Sequence, residues 1–522
     1  MSNNNGFRLS RRNMLKASGA AVIGSAAVSS VVAGEPDVDE YEEYGFAFDQ
    51  VINMVEDAGA DPTGGEDISP LLVEYAEDGN LLYFPEGDYE LSQFRNNEGD
   101  WSEFNSDQYY ALDNFGIKGD GSDKTAFVWP EGTGYTDEHT SFDWSLLGFE
   151  IRYGVNQLFE GIRLDNTAPQ TGARFQMYPD DGLLVLDVHA DGRFDTHMTC
   201  FSFNIYDPEG YGLIENVRAP DGAINPWPDN AGSIGMYIPS WHEGTLTVRN
   251  CHIEGFQDNG LYASSADDPA AIQVEGRYFA NSNISNVRLG QSRSYVKNAT
   301  VVIDRRIDTE FTINMRGIRQ QDGAGVTVKN CDVIHIADAP SSGAITNASR
   351  TGDLTIKNTR IHVGHPGSVN AISASSPSGG FENDGLTIKN VNITGNATTN
   401  EAIDITDRDD NVIQNVCIQE TGEGRDGIAL SRSSATLSNV RIEVEGEPIV
   451  EDDASTERHN VRYSADCVEP KPLRKDLPVF NGLVSHYDAR SLDLGDEDTV
   501  AVWPDTWGNM DAVNPEVNDN DD

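Results

Sequence analysis

The sequence predicts an all-β solenoid, a parallel β-helix, and three observations carry that prediction. One short sentence is written five times between Gly325 and Val450. Val326-Thr-Val-Lys-Asn-Cys-Asp-Val333 returns as Leu354-Thr-Ile-Lys-Asn-Thr-Arg-Ile361 and Leu386-Thr-Ile-Lys-Asn-Val-Asn-Ile393, then more weakly at 412–418 and 435–442. Its Asn falls at 330, 358, 390, 415 and 439, so the spacings are 28, 32, 25 and 24, a solenoid period. The second observation is period-two alternation: Cys331/Val333, Thr359/Ile361, Val391/Ile393, Val416/Ile418 and Val440/Ile442 flank polar or outward positions. The third is a second short strand in most units, opening on Gly or Ala: Gly343-Ala-Ile-Thr, Ala371-Ile-Ser-Ala, Ala402-Ile-Asp-Ile and Gly427-Ile-Ala-Leu. Strand, turn, strand and turn make a coil that pairs with the coils above and below at about 4.8 Å. The repeated Asn is expected to stack at an inward bend and bond neighbouring backbones.

The elements follow in chain order. Residues 1–34 read as an export signal: Ser10-Arg-Arg-Asn-Met-Leu-Lys16 resembles the twin-arginine signature, a mild apolar run follows, and Val31-Val-Ala33 offers a cleavage site. That run is too short and weakly apolar for a span, so no membrane span is expected after cleavage. Residues 35–45 read as an acidic linker, and Pro70 to Glu77 as an N-terminal capping helix. The solenoid is expected over 46–450, with weaker ladder positions at Gly161, Asp187, Asn216, Asn250 and Asn286, giving about ten coils. Between Asn286 and Asn330 the phase is ambiguous. Residues 451–479 read as linker. Phe480 to Leu494, with Val502-Trp-Pro-Asp505, resembles the opening of a concanavalin-like β-sandwich cut short, or a disordered acidic tail (480–522).

Composition narrows the setting. The chain has 522 residues, 86 acidic against 36 basic, and a net charge of −50. An acidic, lysine-poor surface suits work in high salt, where repulsion is screened over a few ångströms. Nucleic acid is excluded as a partner by that charge. With the twin-arginine resemblance, the composition implies an exported, haloarchaeal type of protein, extracellular or at the cell surface, and monomeric. Five Cys lie at 200, 251, 331, 417 and 467, without zinc spacing. Cys251 and Cys331 fall at inward positions; Cys417 is expected to face outward, and whether it pairs with Cys467 stays open.

The repeats, together with Asp57-Ala-Gly-Ala-Asp-Pro-Thr-Gly64, Leu81-Leu-Tyr-Phe-Pro-Glu-Gly-Asp-Tyr-Glu-Leu91 and the Gly-Asp-Gly at 119–121, resemble the right-handed parallel β-helix proteins of the pectate-lyase superfamily. The resemblance covers roughly residues 48–450. It implies a cleft along one exposed sheet and a role in binding or cleaving polysaccharide, acidic or neutral. In the polygalacturonase-like branch, acids precede the second strand. Asp258-Asn-Gly260, Asn370-Ala371, Asn400-Glu-Ala402 and Arg425-Asp-Gly427 occupy that position; of these, Glu401 and Asp426 fall on successive coils, about 5 Å apart, where they would act as acid and base or nucleophile on a glycosidic bond. Arg425 would hold a substrate carboxylate. The same carboxylates would also suit a salt cation or calcium, the one cofactor considered. The branch's Asn-Thr-Asp, Gly-Asp-Asp, Gly-His-Gly and Arg-Ile-Lys motifs are missing. Lyases of this fold instead neutralise a uronate with cations and abstract the proton with Arg or Lys. Between Arg277 and Arg319 stand Arg277, Arg288, Arg293, Lys297, Arg305, Arg306, Arg316 and Arg319, against three acids. Trp241-His242 and Trp227 are candidates for a sugar-stacking platform or for loop anchors. His189, Asp191, Asp195 and His197 would share a strand face and suit a metal unless Asp191-Gly192 turns. The alternative function is a non-catalytic surface or adhesion protein with the solenoid as a rigid spacer.

Overall fold

The asparagine repeat marks a sharp bend, and the bend explains the residue. In the computed structural model Asn298, Asn330, Asn358, Asn390, Asn415, Asn439 and Asn460 are all left-handed, with φ between 50° and 57°. Asn tolerates that region because its short polar side chain bonds locally. Each side-chain amide donates to the side-chain carbonyl one turn earlier, from Asn330→Asn298 at 3.1 Å to Asn460→Asn439 at 2.8 Å. The ladder therefore faces solvent and bonds to itself, not to an inward bend's backbone as expected. Gly161, Asp187, Asn216, Asn250 and Gly276 hold the same bend in earlier turns. Asn286 does not: it lies on the other sheet, and Gly276, which reaches positive φ without strain, takes its place.

The structure describes residues 36–97, 109–133, 148–194, 199–223, 232–266, 269–309, 311–365, 367–381 and 384–470, with the backbone of 502–503 and 512–513. Within these the chain is a parallel β-helix. One sheet stacks 13 strands, from Phe94–Arg95 to Ile449–Asp452, and a longer one gathers 22. The sequence pattern counted about ten turns, because the early ones lack the asparagine signature. Inward rows run through the stack in register. Val328, Ile356, Ile388, Ile413 and Leu437 are one such row, and all are fully buried. Each buries an apolar side chain worth about 1.5–3 kcal/mol.

Both ends differ from expectation. Residues 35–45 are no linker: Val38–Tyr44 forms a 3-10 helix whose Tyr41 is 2% exposed. With Phe46 it covers an outer stripe of Leu81, Leu158, Leu184 and Leu213. A seven-residue α-helix, Ser69–Tyr75, lies within the 70–77 span apart from its first residue, and buries Leu72. The solenoid also runs past Val450, through strands Ile449–Asp452 and Ser455–Arg462. The sequence hid this last turn because its strand is mostly exposed and polar. Residues 463–470 then return along the outside, bound by a Cys417–Cys467 disulfide and by Val468 N donating to Asn392 Oδ1 at 3.2 Å. Cys251 and Cys331 are buried in the core. The expected export signal, Trp227, Asp195 and His197 lie outside the described residues, as does most of 480–522; there Val502–Trp503 pairs antiparallel with Ala512–Val513.

Candidate functional site

The second, 13-stranded sheet alternates in and out with period two, so its inward row fixes what faces solvent. Met236, Leu261, Val287 and Ile318 point inward and are at most 1% exposed. Their neighbours Tyr237, Tyr262, Arg288 and Arg319 therefore point outward, in register on four successive turns. The row continues through Thr346, Ser373 and Asp404. Tyr237 and Tyr262 meet edge to face at 5.5 Å, and the Arg288 guanidinium lies 4.0 Å over the Tyr262 ring. Arg288 Nε donates to Ser264 Oγ at 2.8 Å. Ser264 also borders a depression of about 510 Å³, beside Gln291, Asp322 and Arg350.

Electrostatics single out this patch. Arg316, whose Nε donates to Ser342 Oγ at 2.8 Å, stands beside Arg319 and Arg288. Burial and then the neighbouring guanidiniums push Arg316 down to about 9; burial and Arg288 push Arg319 down to about 10. Both remain charged at neutral pH, yet their charged forms are destabilised, so a bound anion would be favoured. Asp258, at the head of strand Asn259–Ala263, answers them. Burial raises it to about 6, against the pull of Arg288 and Arg319. Asn259 Nδ2 donates to it at 2.6 Å. A carboxyl raised to about 6 near two arginines can hold or release a proton at a bound anionic sugar.

The N-terminal end of the same face is closed. Glu150 is fully buried between Arg95 Nε at 3.2 Å and Arg152 Nε at 2.7 Å, and Tyr109 Oη donates to it. Arg152 lies 5.1 Å from the Tyr178 ring, and Tyr178 meets Trp241 edge to face at 6.4 Å. Trp241, 42% exposed, overhangs the face. His242 beside it does not: it is 1% exposed, accepts from Ile205 N at 3.0 Å through Nδ1, and burial pushes its pKa down to about 3. It is a loop anchor, not a sugar contact.

The basic stretch divides between the two sheets. Arg288 faces the site. Arg277 is 4% exposed on the long sheet, away from this face, and Lys297 and Arg305 tie neighbouring turns together, pairing with Glu275 at 3.1 Å and Glu254 at 3.2 Å. Arg293 is exposed and donates to the Pro269 carbonyl; Arg306 is exposed in a loop. Glu401 and Asp426 are register partners on successive turns, as the spacing predicted. Arg425 cannot join them at a substrate. It is fully buried, with Nε 2.5 Å from Glu420 Oε2 and its other nitrogens on the Thr399 and Val369 carbonyls. In this part of the face, the carboxyl that burial and Glu401 raise is Asp404, to about 6. Among the described residues no three His, Cys, Asp or Glu side chains are placed to hold a metal ion.

Sequence reasoning missed Tyr237 and Tyr262; it placed Asp258 at the acid position ahead of the second strand without choosing it, and counted Arg316 and Arg319 in the basic stretch without singling them out. A signal existed. The Gly/Ala-apolar-X pattern read at Ala344, Ala371, Ala402 and Gly427 extends backward to Gly317-Ile-Arg, Gly260-Leu-Tyr and Gly235-Met-Tyr, and Asn286-Val-Arg is the same triplet with Asn in the first place. Its third position spells the outward row.

No protein-family model matches the chain, and no curated protein does. Solved structures do resemble it at low identity. A DFA-IIIase from Arthrobacter chlorophenolicus A6 matches with 11% identity over 81% of this chain and 100% of that one, TM-score 0.40. The A-module of a mannuronan C-5 epimerase from Azotobacter vinelandii matches with 13% identity over 79% and 99%, TM-score 0.36. A surface adhesin of Streptococcus pneumoniae matches with 12% identity over 77% and 91%, TM-score 0.33. The match to a Geobacillus virus E2 protein spans 61% of that chain.

Proposed function

We propose that this protein binds an acidic polysaccharide along the outer face of the second sheet, as an exported polysaccharide-acting protein. One observation carries the reading: Arg288, Arg316 and Arg319 crowd on adjacent turns beside Tyr237 and Tyr262, and Asp258 heads the Tyr262 strand within reach of the charges of Arg288 and Arg319. Arg suits bidentate carboxylate contacts, and the tyrosines give an amphipathic surface for sugar rings. Asp258 is the group placed to move a proton in a bound chain.

The test is retention and turnover. The full chain is incubated in multimolar salt, with and without calcium, on pectate, alginate and sulfated polysaccharides. Unsaturated-uronate absorbance, reducing ends and retention on the immobilised polymer are followed. Retention that falls at least tenfold in Arg288→Gln/Arg319→Gln supports the reading; unchanged retention overturns it. Absorbance with new ends identifies a lyase, ends alone a hydrolase, and neither a binding protein. The pH dependence has a definite sign. Ionised Asp258 adds negative charge beside the arginines, so affinity for the polyanion should fall several-fold as pH rises through about 6. Asp258→Asn should abolish that fall and bind tightly throughout.

A further inference from the structure

The long sheet carries a second file of charge that the arginine face does not use. One outward row reads Glu215, Arg249, Glu275, Lys297, Lys329, Lys357, Lys389, Gln414, Ser438 and His459, in register turn by turn. Its first four members alternate in sign and are paired: Arg249 lies 3.7 Å from Glu215 and 3.2 Å from Glu275, and Lys297 lies 3.1 Å from Glu275. Then alternation stops. Lys329, Lys357 and Lys389 follow one another at about 4.8 Å per turn, and among the described residues none of the three makes an ion pair. Four of the chain's nine lysines thus stand in one file, in a protein with 86 acidic residues.

Stacking like charges on a sheet is destabilising, and the fold does not demand it. Gln414 and Ser438 fill the same rung on the next two turns. Two residues earlier on each strand, Thr327, Thr355 and Thr387 form a parallel file of partly exposed hydroxyls. The strip is therefore ammonium beside hydroxyl, and its three lysines are left without an acid to answer them.

We infer that Lys329, Lys357 and Lys389 form a second binding strip for a linear polyuronate, lying along the solenoid axis with one carboxylate per sugar. Charge complementarity and linear spacing commit it to that occupant. Lys binds as a point charge on a flexible stem, so the strip grips the polymer without orienting a bond for reaction. High salt does not defeat it: at about 1 M the screening length is about 3 Å. Repulsion between successive lysines is then damped, while direct ammonium–carboxylate contact survives. The strip is on a different sheet from the arginine face and does not rest on that site.

The experiment uses the full chain and polygalacturonate of defined length, with affinity measured from low to molar salt. Lys329→Gln/Lys357→Gln/Lys389→Gln should weaken binding at least tenfold and flatten its salt dependence, and the corresponding triple Arg variant should retain binding. Unchanged affinity in the Gln variant overturns the inference, as does tighter binding of a single-stranded oligonucleotide than of polygalacturonate. Should the triple variant not fold, Gln414→Lys/Ser438→Lys lengthens the file and should tighten binding several-fold; no gain overturns it equally. A loss in the lysine variant with none in Arg288→Gln/Arg319→Gln removes the arginine face and leaves the strip standing.

Discussion

One inward row of the second sheet is built two ways. At the N-terminal end it reads Phe94, Phe149, Phe175, Phe201; at the C-terminal end it reads Ile318, Ile345, Ile372, Ile403, Ile428, Ile449. Phe149 and Phe175 stack at 4.8 Å with their planes 7° apart, and Phe159 meets both from the side at 5.3 and 4.6 Å. The aliphatic half has no such interlocking rings: each Ile sits on a near copy of itself. Turn length does not follow this change of side chain. Phe149, Phe175 and Phe201 lie 26 positions apart, as evenly as Ile318, Ile345 and Ile372 at 27, whereas Phe94 stands 55 positions before its partner Phe149. The contrast is one of packing: rings interlock by tilting and stacking, and isoleucines repeat one shape turn after turn.

The largest test of this contrast is mutational. Phe149→Ala empties the centre of the aromatic block and should cost about 3–5 kcal/mol, whereas Ile403→Val should cost about 0.5–1.5 kcal/mol. Denaturant unfolding of each variant measures both. A loss at Phe149 no greater than at Ile403 would show that the rings are not the packing centre of the early turns.

The candidate site lies where the two halves meet, over Met236, Leu261, Val287 and Ile318, and that location explains what the sequence could show. The C-terminal turns were legible because one left-handed Asn per turn sets the phase. The site was not, because Asp258, Arg288 and Arg319 are brought together only by register across about 60 positions. In that span Gly276 replaces the Asn, and Asn286 imitates one. Arg425 misled for a related reason: its neighbours in sequence face out, but its own side chain turns inward to Glu420. Nothing in composition distinguishes an arginine that bolts two turns from one that meets a ligand.

The second test asks whether the site is as desolvated as its position implies. Asp258 is raised from its ordinary 3.8 to about 6. Between those values the folded chain holds a proton that the unfolded chain has lost. Its contribution is therefore full below about pH 4 and is lost as pH rises to 6. The amount at stake is about 2–3 kcal/mol. Asp258→Asn should remove that segment of the stability–pH curve and leave the rest unchanged. An identical slope from pH 4 to 6 in both proteins would place Asp258 in water.

The smallest effect separates two explanations of the asparagine ladder. Asn390 both adopts φ 56° and exchanges amide bonds with Asn358 and Asn415, at 2.9 and 3.0 Å. Asn390→Ala loses both features and should cost about 1–2 kcal/mol from the left-handed backbone alone. Asn390→Gly keeps the backbone at ease and loses only exposed amide bonds, each worth about 0.5–1.5 kcal/mol at most. If the bend matters most, Gly should be tolerated far better than Ala, as Gly276 already stands at this rung in an earlier turn. If Gly and Ala are equally costly, the amide file itself holds the C-terminal turns together.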